Sequence, residues 1–396
     1  MNVSRLLISG LIYLVFFTGT IALFALVEKG KVYRNSAVNQ ICKGGILAVA
    51  ILLPCLLAGI RGNSVGVDVE VYVAPHMRAA VACSSFAEVY DAINGSLEYL
   101  YVLLVFIASR ITEDEGLLLF LLQFFAILPI VLAIVKMKSK VSLPLAIAVY
   151  LFVYYNNSLN MMRQSVSCGF VLLGTVYLVQ KKGKSSIGMV VSFLIALLFH
   201  KSGWIGIVLV IGLYWLMHSK LKKIVKTGVV IAILCFPILG LAIYEFMVNK
   251  GILTGNFLVY GDIFLYRTIQ KDWFVNPLSP NILAYIVLSG ALVGVSYAFA
   301  PKGHLTVEKT EYQYLRFLVL VGFLMNLVIL FSMQTLYGQR ITMYLDMFII
   351  LLLPMSIGKP NIKLKRNIAY LLVLIYWIVW IMRLGWSGSN YLVFRF

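Results

Sequence analysis

Four polar strings interrupt an otherwise apolar chain, and each carries a side chain able to hold an anion or move a proton. The first is Arg61-Gly62-Asn63-Ser64-Val65-Gly66-Val67-Asp68, followed by Tyr72. Its glycines permit a tight turn, which would bring Arg61 and Asp68 back toward one helix end. The second, Asn156-Asn157-Ser158-Leu159-Asn160-Met161-Met162-Arg163-Gln164, sets one arginine among amides. An arginine near lipid costs roughly 2.5–3.5 kcal/mol at a helix centre unless it is paired or wet. The third is Phe199-His200-Lys201-Ser202-Gly203-Trp204. Its imidazole titrates near neutrality and can take a proton there. The fourth is Gln339-Arg340, with Tyr344 and Asp346 on the following turns. Arg340 and Tyr344 stand at i and i+4 and so share a face.

Each string also has a plainer reading. Arg61 reads as an interfacial anchor, and Arg163 as the snorkelling arginine of a helical hairpin. His200 reads as an imidazole bonded to backbone at a helix end, and Arg340 with Tyr344 as an aromatic–basic belt. Asp346, set deeper, neutralises Arg340 or another buried cation. What favours chemistry is the joint placement. Three arginines and a histidine on one leaflet need a partner, and guanidinium forks match the oxygens of a diphosphate and stay charged. Asp68-Val69-Glu70 also has the form of an acidic pair for a divalent metal. Only two oxygen-bearing side chains are present, so arginine is preferred as the diphosphate partner and no metal site is expected.

The elements that must position these groups follow from composition. Of 396 residues, 62% are apolar and 12% charged, with mean hydropathy +0.96. A soluble domain is nearer half apolar and a quarter charged, so the solvent of this chain is lipid. Disorder, collagen, a disulfide scaffold and a soluble multidomain fold are excluded. Five cysteines without paired spacing indicate neither a disulfide framework nor a zinc site. Apolar runs stand near 6–27, 44–60, 97–109, 117–135, 143–160, 165–180, 187–203, 204–217, 227–248, 282–300, 314–333, 340–357 and 368–384. The first is too long for a signal peptide and lacks a small-residue cleavage site, so it counts as a span.

The net charge of +18 is topological rather than a sign of nucleic acid. Basic clusters at 29–43, 136–140, 181–184, 220–226 and 359–366, with Lys302, Lys309 and Arg316, hold 21 of the 33 Lys and Arg residues. With these inside, the remainder is 12 basic against 12 acidic residues. Arg61, Arg163, His200 and Arg340 then all fall on the outer side. Three apolar runs between Lys43 and Lys136 break the parity of two inside loops. The short run 97–109 is therefore read as re-entrant or tilted, its ends covered by protein. The expectation is an all-α, polytopic transmembrane helical bundle of about 12 full spans plus this segment. It forms a single integral membrane domain over 1–396, with outer loops 61–96 and 249–281 and both termini outside.

The RGxxVGxD string of Arg61–Asp68, the Asn160-x-x-Arg163-Gln164 string, Phe199-His200-Lys201-Ser202, and Arg340 with Tyr344 resemble the EpsG-like family of Wzy-type polysaccharide polymerases. Glu98-Tyr99 looks like the acidic opening of that family's third segment, without the Pro-Gly that usually follows. The family's C-terminal Tyr-Pro-Tyr is reduced to Asn390-Tyr391, and no role is carried there.

The resemblance implies a glycosyltransferase of the bacterial inner membrane acting on its outer face. Such an enzyme joins undecaprenyl-diphosphate-linked oligosaccharide repeat units into capsule, exopolysaccharide or O-antigen. Likeness to the GT-C class is by analogy only. On this reading Arg163, Arg340 and Arg61 hold the diphosphate. His200 is the preferred base and Asp68 the other candidate, while Asn160, Gln164, Tyr344, Glu98 and Tyr72 support them. Partners are the lipid-linked glycan, the bilayer and, by family analogy, a chain-length regulator. Alternatives from the same residues are a lipid-linked oligosaccharide flippase or transporter, an O-antigen ligase and an O-acyltransferase.

Overall fold

The computed structural model describes residues 3–30, 36–62, 65–66, 68–93, 97–252, 280–299, 306–332, 339–358 and 363–384. Among these the chain is helical throughout, with no strand. Every apolar run of the sequence becomes helix. The first two are α1 (Val3–Lys29) and α2 (Ser36–Gly59). The stretch expected as a long loop then folds. A π turn at Val69–Val73 leads into α3 (Ala74–Val81), and α4 (Phe86–Ala92) follows. Ser85 starts α4 with a reciprocal cap, accepting from the Glu88 N–H while the Glu88 carboxylate takes the Ser84 N–H at 2.8 Å. The expected loop 249–281 lies mostly outside the described residues.

Next come α5 (Tyr99–Ser109) and α6 (Gly116–Lys136). The run 143–160 is split into α7 (Leu143–Val149), a π turn at Tyr150–Tyr154, and α8 (Tyr155–Asn160). Beyond Met161 stand α9 (Met162–Gln180), α10 (Ile187–Phe199), α11 (Gly203–His218) and α12 (Lys223–Asn249). The chain continues through α13 (Pro280–Ala298), α14 (Thr306–Ser332), α15 (Gln339–Asp346), α16 (Ile349–Ile357) and α17 (Lys363–Leu384).

Six helical stretches are long and apolar enough to cross a membrane: 7–29, 38–59, 116–136, 162–180, 310–331 and 340–357. That is half of the twelve full spans expected. The π turn divides 143–160, and the runs at 187, 204 and 282 give described helices of 10–17 residues. The segment at 97–109 is short as expected, with 11 helical residues. It packs against α3, α4, α6 and α10, so protein covers it. The chain is a multi-pass membrane protein.

Helix α9 is the axis of the bundle and is buried along nearly its whole length between α6 and α10. Gly169 makes that possible. A Cβ there would lie 2.9 Å from the Ala126 carbonyl oxygen and from Pro129 Cγ, so only a glycine lets α6 and α9 close to this separation. Its 19 residues rise about 28 Å, close to the ~30 Å hydrocarbon thickness of a bilayer. At one end of α9 stands Arg163. At the other, Gln180 Nε2 donates to the Lys136 carbonyl at 3.2 Å. The lysine-rich turns meet at that second end: Lys140 pairs with Glu311, and Glu28 takes the Leu143 N–H at 2.9 Å.

Candidate active site

At the Arg163 end one carboxylate joins three polar strings. Glu98 precedes α5, and its side chain is 7% exposed. Arg163 Nη1 donates to Glu98 Oε2 at 2.6 Å, and His200 Nδ1 lies 3.2 Å from Glu98 Oε1. The Lys201 N–H donates to the same Oε1 at 3.0 Å. A carboxylate can only accept, so His200 presents an N–H at Nδ1, and in the neutral ring the lone pair is then on Nε2. Burial pushes the Glu98 carboxyl up. The bond from His200, the charges of Arg163 and His200 and the Lys201 N–H outweigh this and hold it down to about 2. The geometry adds to both plainer readings: Arg163 is paired with a carboxylate, and His200 meets the same carboxylate through its ring.

The string 61–68 folds onto the same end. Gly66 has φ +96°, and a Cβ on it would lie 2.6 Å from the Leu159 carbonyl oxygen. The turn is thereby pressed onto the end of α8, where the Asp68 N–H donates to Asn160 Oδ1 at 3.2 Å. Asp68 is half-buried and faces the charges of Arg340, Arg163 and His200. Burial raises its carboxyl, and the neighbouring basic groups, Arg340 first, draw it back without cancelling the rise.

Arg61 lies deeper than an interfacial anchor would. It is 3% exposed; its Nη2 meets Met162 Sδ at 3.2 Å, and its Nε and Nη1 have no hydrogen-bond partner. Met162 opens α9 without a side-chain cap. The first bond into that helix runs from the Ser165 N–H to the Met161 carbonyl. The positive end of α9 therefore adds its field to that of the two arginines.

The fourth string closes the group. Gln164 Nε2 donates to the Arg340 carbonyl, and Arg340 itself is exposed. The Tyr344 hydroxyl bonds Ser202 Oγ at 2.9 Å and reaches Ser167 Oγ at 3.4 Å. Asp346 takes hydrogen bonds from Asn326 Nδ2 at 2.6 Å and from Thr342, an amide and a hydroxyl rather than a buried cation. The structure thus brings together Asp68, Glu98, Asn160, Arg163, Gln164, His200, Arg340 and Tyr344, while Arg61 adjoins the group only through Met162. Tyr72 stands at the edge, 44% exposed, its ring 6.3 Å from that of His76. Asn390 and Tyr391 lie outside the described residues.

Two members escaped the reading from sequence. Tyr101 is fully buried and lies under the Arg163 guanidinium, Cζ to ring centroid 5.0 Å. His76 Nδ1 is 2.8 Å from the Tyr101 hydroxyl. Burial, with the charge of Arg163 behind it, pushes the His76 ring down to about 4. A histidine inside the Ala-Pro-His-Met segment was the available signal, lost because 61–96 was taken as loop.

Comparison with known proteins gives one match. A family described as the EpsG family matches residues 46–396, most of the chain. No curated protein and no solved structure matches.

Proposed function

Since the chain belongs to the EpsG family of Wzy-type polysaccharide-polymerase-like membrane proteins, we propose that it joins undecaprenyl-diphosphate-linked oligosaccharide units. The growing glycan leaves its lipid diphosphate and is transferred to a hydroxyl at the non-reducing end of a new lipid-linked unit. The bond broken is sugar C1 to diphosphate oxygen, and the bond formed is sugar C1 to the acceptor oxygen. The diphosphate departs as an anion and needs cations more than an acid. Arg163, Arg340 and Arg61 supply them, aided by the α9 N-terminus. The acceptor proton goes to His200 Nε2. Asp68 is the second candidate for that proton.

One observation carries this reading: a single carboxylate, Glu98, bonds Arg163 with one oxygen and His200 with the other. It thereby couples the group that would hold the leaving diphosphate to the group that would take the proton. No side chain with such a double duty is required of a lipid-facing anchor. Asp68 faces two arginines, Arg340 and Arg163, which supports arginine over a divalent metal as the diphosphate partner. Activity surviving excess EDTA would agree with that preference, and full loss with rescue by Mn²⁺ would reverse it.

The chemistry is proposed for the outer face of the bacterial inner membrane, with twelve crossings and both termini outside. The charge balance of the loops supports this side. An impermeant thiol reagent applied from outside should then label Cys83 and spare Cys42. The decisive test is polymer formation in vesicles reconstituted with the full chain and lipid-linked repeat units. Arg163→Ala should abolish chain growth while the protein still inserts, and Arg163→Lys should fail as well for want of the bidentate fork. A wild-type chain that moves the units across the vesicle but joins none would make it a transporter.

A further inference from the structure

We propose that His76 and Tyr101 are positioning residues that set the plane of the Arg163 guanidinium. The argument begins with what an ion pair leaves undetermined. Arg163 bonds Glu98 through Nη1 alone. One hydrogen bond fixes a point and leaves the guanidinium free to swing about it, so the remaining N–H groups have no defined aim. Tyr101 removes that freedom. Glu98 is the residue before α5 and Tyr101 is the third residue within it, and both side chains reach Arg163. Carboxylate and ring therefore hold the guanidinium from edge and from below, with Cζ 5.0 Å from the ring centroid.

The ring needs a stop of its own. It is buried, and its hydroxyl points to His76 Nδ1 at 2.8 Å. The imidazole is in turn packed edge-on against Tyr101 and tilted against Tyr72. Helix α3, which carries His76, is tied to α5 a second time: Arg110 Nη2 donates to the Ala80 carbonyl at 2.6 Å. The short helix thus lies along α5 as a brace with two fastenings. Its function is to hold one tyrosine ring level beneath one arginine. Aiming the free N–H groups of Arg163 matters most where charge develops, so the brace should act on turnover more than on substrate affinity.

This inference rests on Arg163 acting on the diphosphate, and the experiment separates the two ideas. Initial rates would be measured in vesicles carrying the full chain and lipid-linked repeat units. The variants are Arg163→Ala, Tyr101→Phe, Tyr101→Leu, His76→Leu, His76→Asn and the double variant His76→Leu with Tyr101→Phe. Tyr101→Leu should lower kcat about tenfold with KM within about twofold. Tyr101→Phe and His76→Leu should each lower kcat severalfold. Their combination should be no worse than either, because both break the same bond. His76→Asn should recover most of the rate, since its amide can bond the hydroxyl from the position of Nδ1. Wild-type kcat in Tyr101→Leu and His76→Leu, or a His76→Asn protein as slow as His76→Leu, would overturn the brace. Wild-type activity in Arg163→Ala would instead overturn the reading on which it rests.

Discussion

Replacing Glu98 by glutamine changes one atom and tests the centre of the site. The carboxylate accepts from Arg163 on Oε2 and from both His200 and the Lys201 N–H on Oε1. An amide has one accepting oxygen. With that oxygen toward His200 and Lys201, the amide N–H₂ faces Arg163 Nη1, donor against donor, and the half-buried guanidinium loses its counter-charge. Turned the other way, the N–H₂ faces His200 Nδ1 and drives the imidazole proton to Nε2, which removes the lone pair meant for the acceptor. Either orientation breaks one arm. A hydrogen bond to a charged group is worth roughly 1.5–3 kcal/mol, and each 1.36 kcal/mol is tenfold in rate. Turnover should therefore fall by roughly ten- to a hundredfold. The assay is chain growth by membranes of equal protein content, with thermal unfolding in detergent to verify the fold. Glu98→Gln at the wild-type rate and stability would refute the reasoning, because the carboxylate charge would then be idle.

Three further outcomes follow from the same geometry. Gly66→Ala should lower thermal stability. A left-handed backbone costs a residue with a Cβ about 1–2 kcal/mol, and here the Cβ would also strike the Leu159 carbonyl at 2.6 Å. An unchanged melting point would mean that the turn does not press on α8. Acid should destabilise the protein through His76, whose ring is held down from 6.5 to about 4. Between those values the unfolded chain binds a proton that the folded chain refuses, so stability falls as pH falls through that window and is level on either side. His76→Asn should flatten this part of the melting curve against pH, and parallel curves for the two proteins would contradict the assignment. Below about 4.5, Glu98 adds a loss of the same sign, because its folded value lies near 2.

Much of this site was legible because lipid makes every polar residue conspicuous. Arg61, Arg163, His200 and Arg340 each broke an apolar run, and the alternation of basic loops assigned them to one end before any contact was known. The centrality of Glu98 was not legible. Its partners lie 65 and 102 residues away in sequence, and no local spacing signals such pairing. His76 was hidden for a different reason. Helices of seven or eight residues such as α3 and α4 have too few turns for a periodic signal to rise above the loop composition around them. Among the described residues six helical stretches are long and apolar enough to cross, and the twelve read from hydropathy go beyond that number. Hydropathy sees continuous apolar runs and cannot see that a π turn interrupts 143–160.

That π turn has a consequence for how the protein tolerates change. A π turn is one residue inserted into an α-helix, and each residue turns a helix by about 100°. Deleting a single codon among 150–154 would restore a regular helix and swing Asn156, Ser158 and Asn160 off their present bearings together. A deletion there moves all three polar side chains at once, whereas a substitution acts only through the packing or hydrogen bond of its own buried side chain, so mutational scans that omit deletions will miss what this stretch does for the site.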